Sequence, residues 1–350
     1  MINPSTFRDI VSGRRRGPAA ATIRCALRIV ETPYRWAVQL RNHRFDRSAA
    51  ERLNVPVVSV GNLTLGGTGK TPTVGWLAQW FQQAGQRPAI VSRGYRSGPQ
   101  EVNDEALELA QRLPDVPHVQ NPDRVLAGRQ AVAQHGCDVV ILDDGFQHRR
   151  LARDLDVVLM DATEAFGFEH VFPRGTLREP LCGLARADVV ALSRANLLDD
   201  RQRATIRQRV EQLAPTALWV EIVQRPSHLL NCSSQTRPLD SLPGTRIAAF
   251  CGIGNPNAFH EGLKQCGFDV AMFQPFPDHH AFTRQDAESI AQSATSAEAT
   301  AIVCTHKDLV KFAEDQLGGI PLWALAIETE FLTGQEKLVT LLKRLVEGHE

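Results

Sequence analysis

Residues 55–72 read V-P-V-V-S-V-G-N-L-T-L-G-G-T-G-K-T-P, and their reading decides the fold. The opening run, rich in valine and free of charge, has the pattern of a strand buried on both faces. It passes through Gly66, Gly67 and Gly69 into Lys70-Thr71 and then into a helical pattern. Residues without a Cβ let backbone N–H groups converge on an anion, so the stretch reads as a phosphate-binding loop. Gly66, Gly67, Thr68 and Gly69 form the cradle, Lys70 reaches the β- and γ-phosphates, and the Thr71 hydroxyl holds Mg²⁺. Pro72 falls in the first helical turn, where a missing N–H is tolerated and the helix dipole faces the phosphates. Thr64 stands where the motif G-x-x-x-x-G-K-[ST] has its first glycine. Leu65 occupies the place of the extra lysine of dimeric ATPases, which argues against a lysine-bridged dimer.

The partner of such a loop is a buried strand ending in an acid, and Val139-Val140-Ile141-Leu142-Asp143-Asp144 supplies it. One of the paired carboxylates, Asp143 or Asp144, holds the metal and the other orients it. Further short apolar runs at 88–92, 155–160 and 188–193 alternate with helical patterns, and Trp76, Leu77, Trp80 and Phe81 recur at core-facing spacing. Strands alternating with helices give an α/β fold of the P-loop NTPase type, with a doubly wound, mostly parallel sheet.

Working outward, residues 226–244 are rich in Pro, Ser, Asn and Gly and read as a linker. A second, smaller α/β domain follows at 245–350, behind a kinase-like domain at 51–225. Residues 1–50 form an N-terminal amphipathic helical segment. The formal net charge of zero over 350 residues hides an asymmetry, because residues 1–52 hold eleven arginines, no lysine and four acids. Arg24, Arg28, Arg35 and Arg41 interrupt an apolar sequence there, the composition of a helix lying in an anionic membrane interface or of a basic helix packed on its own domain. No apolar run is long enough for a secretory signal or a transmembrane helix. Seven cysteines without a C-x-x-C pair suit a reducing compartment.

Several polar clusters are open to two readings. Asp104, in N-D-E-A (103–106), is a helix cap or a base facing the phosphates. Arg124 opens a helix, where a cation opposes the dipole unless an anion is near. Arg178 and Glu179, in R-G-T-L-R-E-P (174–180), suit a phosphate and metal site or a surface ion pair. His279 and His280 follow Asp278 in a loop, with acid/base or orienting work favoured over zinc because no further ligands recur at metal spacing. Lys307 and Asp308, in T-H-K-D (305–308), form a base-reading turn or a helix N-cap. G-I-G at 252–254 lacks the third glycine of a dinucleotide fingerprint, Phe259 standing there instead.

Taken in order, G-N-L-T-L-G-G-T-G-K-T-P (61–72), S-R-G-Y (92–95), N-D-E-A, D-R (123–124), L-D-D-G-F-Q-H (142–148), R-G-T-L-R-E-P, F-P-D-H-H (276–280) and T-H-K-D resemble the tetraacyldisaccharide 4'-kinase family. The resemblance implies ATP- and Mg²⁺-dependent phosphorylation of the 4'-hydroxyl of a lipid A disaccharide precursor. It places the protein at the cytoplasmic face of the inner membrane, peripheral or monotopic, with no nucleic-acid partner, and it favours the interfacial reading of residues 1–50. It also implies that Asp104 and His279 act as a pair on the sugar hydroxyl, with His280 as a second candidate. Arg124 and Arg178 then stabilise the transferring phosphoryl group and Glu179 orders the metal or its waters. With Asp104 in the first domain and His279 in the second, closure would complete the site. The alternative is a regulatory or metal-insertion P-loop GTPase or ATPase, with T-H-K-D reading guanine.

Overall fold

The computed structural model describes residues 4–94, 104–241 and 244–348, the side chains of residues 4, 5, 104 and 105 excepted, and the strand heading the glycine loop runs Val57–Asn62 (β1), buried throughout. The strands that follow are β2 (Pro88–Ser92), β3 (His118–Gln120), β4 (Val139–Asp143), β5 (Leu155–Asp161), β6 (Val189–Ser193), β7 (Leu218–Leu230), β8 (Thr236–Pro238), β9 (Arg246–Cys251), β10 (Asp269–Pro275), β11 (Ala301–Thr305), β12 (Gln316–Leu317) and β13 (Ile320–Thr333). The helices are α1 (Pro4–Val11), α2 (Pro18–Arg47), α3 (Lys70–Gln83), α4 (Asp104–Arg112), α5 (Arg124–His135), α6 (Asp200–Leu213), α7 (Pro256–Gln265), α8 (Arg284–Ser296), α9 (His306–Leu309) and α10 (Gln335–Glu347). The chain divides into two compact units, one of Met1–Arg93, Val116–Val223 and Glu330–Glu350, the other of Gly94–Asp115 and Gln224–Thr329.

In the first unit β1 lies between β4 and β5, and the sheet extends through β2 to β3 on one side and through β6 to β7 on the other, all parallel. From β1 the chain crosses to β2 on one side, and from β4 it crosses back over β1 to β5 on the other, which makes the C-terminal end of β1 a switch point, where open α/β sheets bind ligands. Every residue of β1, β4, β5 and β6 is buried, as continuous apolar runs covered by helices require. One core cluster gathers Phe146, Leu177, Leu184, Leu192 and Val210, another Val57, Val91, Val125, Leu142 and Leu151. Truncating fully buried Phe146 to alanine would cost about 3–5 kcal/mol. Helix α5 starts where the Asp123 carboxylate accepts the Val125 and Leu126 N–H groups, and it stops at left-handed Gly136.

In the second unit β9 lies between β10 and β11, and β11 pairs with β13, all parallel, while β12 adds to β13 and β8 to the end of β7 antiparallel. Phe250 is ringed by Phe276, Phe282 and Phe312 at its core.

Three boundaries differ from the sequence reading. Residues 226–244 are not a bare linker: β7 runs on to Leu230, where Leu229 and Leu230 are buried, and a turn held by Asn231 leads into β8. Helix α4, expected in the first domain, belongs to the unit that contains His279. Its Gln111 side chain donates to the Asn231 carbonyl and accepts from the buried His306 ring, contacts more than a hundred residues away that no local pattern announces. Helix α10 belongs to the first unit, burying Leu338 and Leu342.

The N-terminal helices also belong to the first unit. Glu31 is buried and accepts from the Val171 N–H (2.9 Å) and from His170 Nδ1 (3.1 Å), which seats one face of α2 on the unit. The opposite face carries Cys25, Ile29, Trp36 and Leu40 at helical spacing, all exposed, Ile29 at 74% and Trp36 at 70%. Among the described residues no helix is long and apolar enough to cross a membrane.

Candidate active site

After β1 the chain is tied down before it reaches the glycines. The Leu65 N–H donates to Thr176 O (2.7 Å), the Arg178 N–H to Leu63 O (2.6 Å) and Asn62 Nδ2 to Thr64 O (2.7 Å). Gly69, left-handed at φ 84°, caps α3 with no side-chain hydrogen bond, so the amides of the first turn, including those of Lys70 and Thr71, have no capping acceptor. The Thr68 hydroxyl is buried without a partner. A Cβ on Gly61 would lie 2.6 Å from Phe146 Cβ, so that glycine is what admits the Gly145-Phe146 turn across β1.

That turn follows β4, which delivers Asp143, buried at the strand end, and Asp144 at φ 56°. Arg178 Nη1 donates to both Asp144 oxygens (2.9 and 2.8 Å), and Lys70 Nζ lies 3.5 Å from one of them. Burial works to raise the Asp144 carboxyl, but Lys70 and Arg178 together outweigh it and hold the group below the usual carboxylate range. The structure therefore brings Lys70, Asp143, Asp144 and Arg178 to one place. It adds Arg124, 4% exposed, whose guanidinium is depressed by burial and feels Asp144, Arg93 and Asp143. Arg124 donates to the Pro122 carbonyl and forms no ion pair among the described residues, and its Nε has no partner. A buried cation in that state calls for an anion.

Glu179 lies deep in the 174–180 loop, held by several partners. It is 1% exposed, and its oxygens accept from Arg186 (both at 3.0 Å), Asn42 (2.9 Å) and Gln147 (3.1 Å). These contacts hold the 174–180 loop to α2 and to the turn after β4. Gln147 also donates to Asn62 O, which makes it and Arg186 supports of the site that the motifs alone did not single out. Their signal was proximity in sequence to Asp144 and to Glu179.

In the second unit His279, at φ 59°, has Nε2 3.1 Å from Lys307 Nζ, and Lys307 is 3.3 Å from Asp278 Oδ1. An ammonium only donates, so in that contact Nε2 is the acceptor. His280 instead stacks on Phe276 and lies 3.1 Å from Asp286, the N3 acid of the capping box of α8. His280 is thus tied to the start of α8, while His279 faces Lys307 and Asp278. Asp308, in T-H-K-D, anchors the turn from inside. It is fully buried and accepts from the Gly252 N–H (2.9 Å), the Thr305 hydroxyl (2.6 Å) and Lys311 (3.4 Å), while Thr305 caps α9. Lys307 Nζ is in turn held by Asp278 and His279. Asp104 begins α4, but its side chain, like Tyr95 and Asn103, lies outside the described residues.

A parallel sheet whose switch point carries a glycine loop, an uncapped helix and an acid pair beside lysine and arginine defines a P-loop phosphotransferase. The family model for tetraacyldisaccharide-1-P 4'-kinase matches residues 23–347. The tetraacyldisaccharide 4'-kinase of Anaeromyxobacter sp. (strain K) is 37% identical over 349 residues, covering 94% of this chain and 92% of that one. The enzyme of Syntrophus aciditrophicus is 37% identical over 322 residues, covering 84% and 86%. The crystal structure of LpxK from Aquifex aeolicus in complex with ATP superposes with a TM-score of 0.74 at 29% identity, covering 93% of this chain and 99% of that one. The chain belongs to the tetraacyldisaccharide 4'-kinase family. Its activity is that of an ATP-dependent kinase of lipid A biosynthesis that phosphorylates the 4'-hydroxyl of a tetraacyldisaccharide 1-phosphate.

Proposed function

We propose that the glycine loop of the first unit is the ATP site and that Asp104 and His279 serve the acceptor hydroxyl. The observation that carries the first part is Asp144 held by Lys70 and Arg178 beside a buried Arg124 that forms no ion pair among the described residues. The Gly66–Gly69 amides and Lys70 bind the polyphosphate, and Arg124 and Arg178 stabilise charge on the transferring phosphoryl group. The donor set fits Mg²⁺, which takes one or two carboxylates plus phosphate oxygens: the Thr71 hydroxyl and Asp143 or Asp144 would hold it. When bound it would neutralise charge on the β- and γ-phosphates. Asp104, oriented by His279, accepts the 4'-hydroxyl proton.

The exposed stripe of α2 supports a second part of the reading. Ile29, Trp36 and Leu40 enter the acyl boundary of an anionic membrane while Arg28, Arg35, Arg41 and Arg44 meet head groups. This seats the enzyme at the cytoplasmic face of the inner membrane, where its lipid substrate is held.

Incubation with radiolabelled ATP and the tetraacyl disaccharide tests the site. Turnover should vanish on chelation, return with Mg²⁺, and be lost in Lys70→Ala and Asp143→Ala proteins that remain folded. Near-normal turnover in either variant would remove the assignment.

A further inference from the structure

The apex of the phosphate loop is held from outside by a residue that none of the motifs contains. Arg194 follows β6 in a left-handed conformation (φ 56°), which a non-glycine residue keeps only when its surroundings demand it. Its guanidinium spans two partners. Nη1 pairs with Asp161 at the end of β5, and Nη2 donates to the Gly67 carbonyl (3.0 Å). Asp161 is buried and is itself fixed, accepting from the Thr163 N–H (2.9 Å) and hydroxyl (2.7 Å). A Cβ on Gly67 would meet nothing within 4 Å, so no side-chain packing bears on that position. A loop with three glycines in four residues samples many peptide orientations unless something selects one.

The peptide bond supplies the link to binding. In a trans peptide the Gly67 C=O and the Thr68 N–H point in opposite directions. Drawing the carbonyl outward onto Arg194 therefore turns the Thr68 amide inward, toward the side where the cradle must present donors. We infer that Arg194, anchored by Asp161, is a positioning residue that presets the Thr68 amide for the ATP polyphosphate. It acts on the loop through the Gly67 carbonyl. The fork of an arginine is needed, because a lysine ammonium offers no rigid pair of donors to span Asp161 and Gly67.

The inference rests on the glycine loop being the ATP site, so Lys70→Ala is carried as a control. ATP affinity is measured calorimetrically on full-length wild type, Arg194→Met, Arg194→Lys, Asp161→Asn and Lys70→Ala. Amide hydrogen exchange of the peptide containing residues 63–70 is followed in the ATP-free proteins. Arg194→Met should weaken ATP binding about tenfold to a hundredfold, the size of a lost charge-assisted hydrogen bond. Arg194→Lys should recover little of it and Asp161→Asn should show a smaller loss. Loop exchange should quicken in all three, and KM for ATP should rise while KM for the lipid stays put. Folded Arg194→Met with wild-type ATP affinity, or equal rises in both KM values, overturns the inference. If Arg194→Met does not fold, Arg194→Lys and Asp161→Asn decide by the same criteria. Loss of ATP binding in Lys70→Ala alone rejects Arg194 and keeps the site, whereas retention there rejects both.

Discussion

Lys70 Nζ and Asp144 Oδ1 lie 3.5 Å apart, so the cation of the phosphate loop is ion-paired to the second acid of the β4 strand end. An incoming polyphosphate meets a lysine already partly neutralised and a carboxylate that repels it. Asp144→Asn should therefore tighten ATP binding severalfold in the presence of chelator, because the repulsion is gone and Lys70 and Arg178 are released. Mg²⁺-dependent turnover should nevertheless fall roughly a hundredfold to a thousandfold, as for loss of one electrostatic contact to a transferring group. Calorimetry with and without Mg²⁺ checks both halves, and unchanged turnover would show that Asp144 only shapes the resting site.

Burial, reinforced by Arg112 and His228, pushes the His306 imidazole down to about 4, and burial with Arg124 and Arg150 does the same to His148, also to about 4. Between about pH 6.5 and 4 the unfolded chain binds protons that the folded chain refuses, so stability rises with pH over that window. It is complete above the unfolded value and drains away as pH falls toward 4, by up to about 1.4 kcal/mol per pH unit for each ring. Thermal unfolding at pH 7.5 and 5.5 should show a large drop for wild type and a smaller one for His306→Gln, which keeps a donor for Gln111. Equal drops would mean that His306 does not contribute.

The two faces of α2 should separate in experiment. Glu31→Ala strips the Val171 N–H of its buried acceptor, a loss of about 1–3 kcal/mol that lowers the melting temperature. Ile29→Ser with Trp36→Ser touches only the exposed stripe. It should leave melting within about 0.5 kcal/mol of wild type yet weaken partitioning onto vesicles containing phosphatidylglycerol. Rising salt should weaken the wild-type partitioning too, because screening shortens the reach of the arginines. Partitioning that ignores both the serines and the salt would leave α2 as a packed basic helix.

The parts of this protein legible in its sequence are those set by local rules. A valine-rich run, three glycines and Lys-Thr specify strand, loop and helix start within about twenty residues, and β4 ending in Asp143 is equally local. What was not legible depends on partners far along the chain. Glu179 is tied to Asn42, 137 residues away, a contact its own motif does not announce. Asp308 accepts from the Gly252 N–H, 56 residues away, which T-H-K-D by itself gives no sign of. Helix α4 carries no mark of its unit in its own nine residues, since Gln111 meets its partners only in the folded chain. Arg194 escaped for the same reason, its task being set by a carbonyl 127 residues upstream.

Asp104 heads α4, which leaves a helix cap or first-turn acid as a complete account of its presence. A base and a cap make the same forecast for Asp104→Ala, a loss of about 1 kcal/mol of stability, so that variant decides nothing. Asparagine caps a helix about as well as aspartate but cannot take a proton from a sugar hydroxyl. Asp104→Asn should therefore melt like wild type, bind ATP with unchanged affinity, and turn over at least a hundredfold more slowly. His279→Ala should cost turnover in the same way, while His280→Ala, which removes a ring stacked on Phe276, should act on stability first. If Asp104 and His279 work as a unit, the double variant loses little more than the worse single one. Fully additive losses would break the pairing, and wild-type turnover in folded Asp104→Asn would leave Asp104 as nothing more than the start of α4.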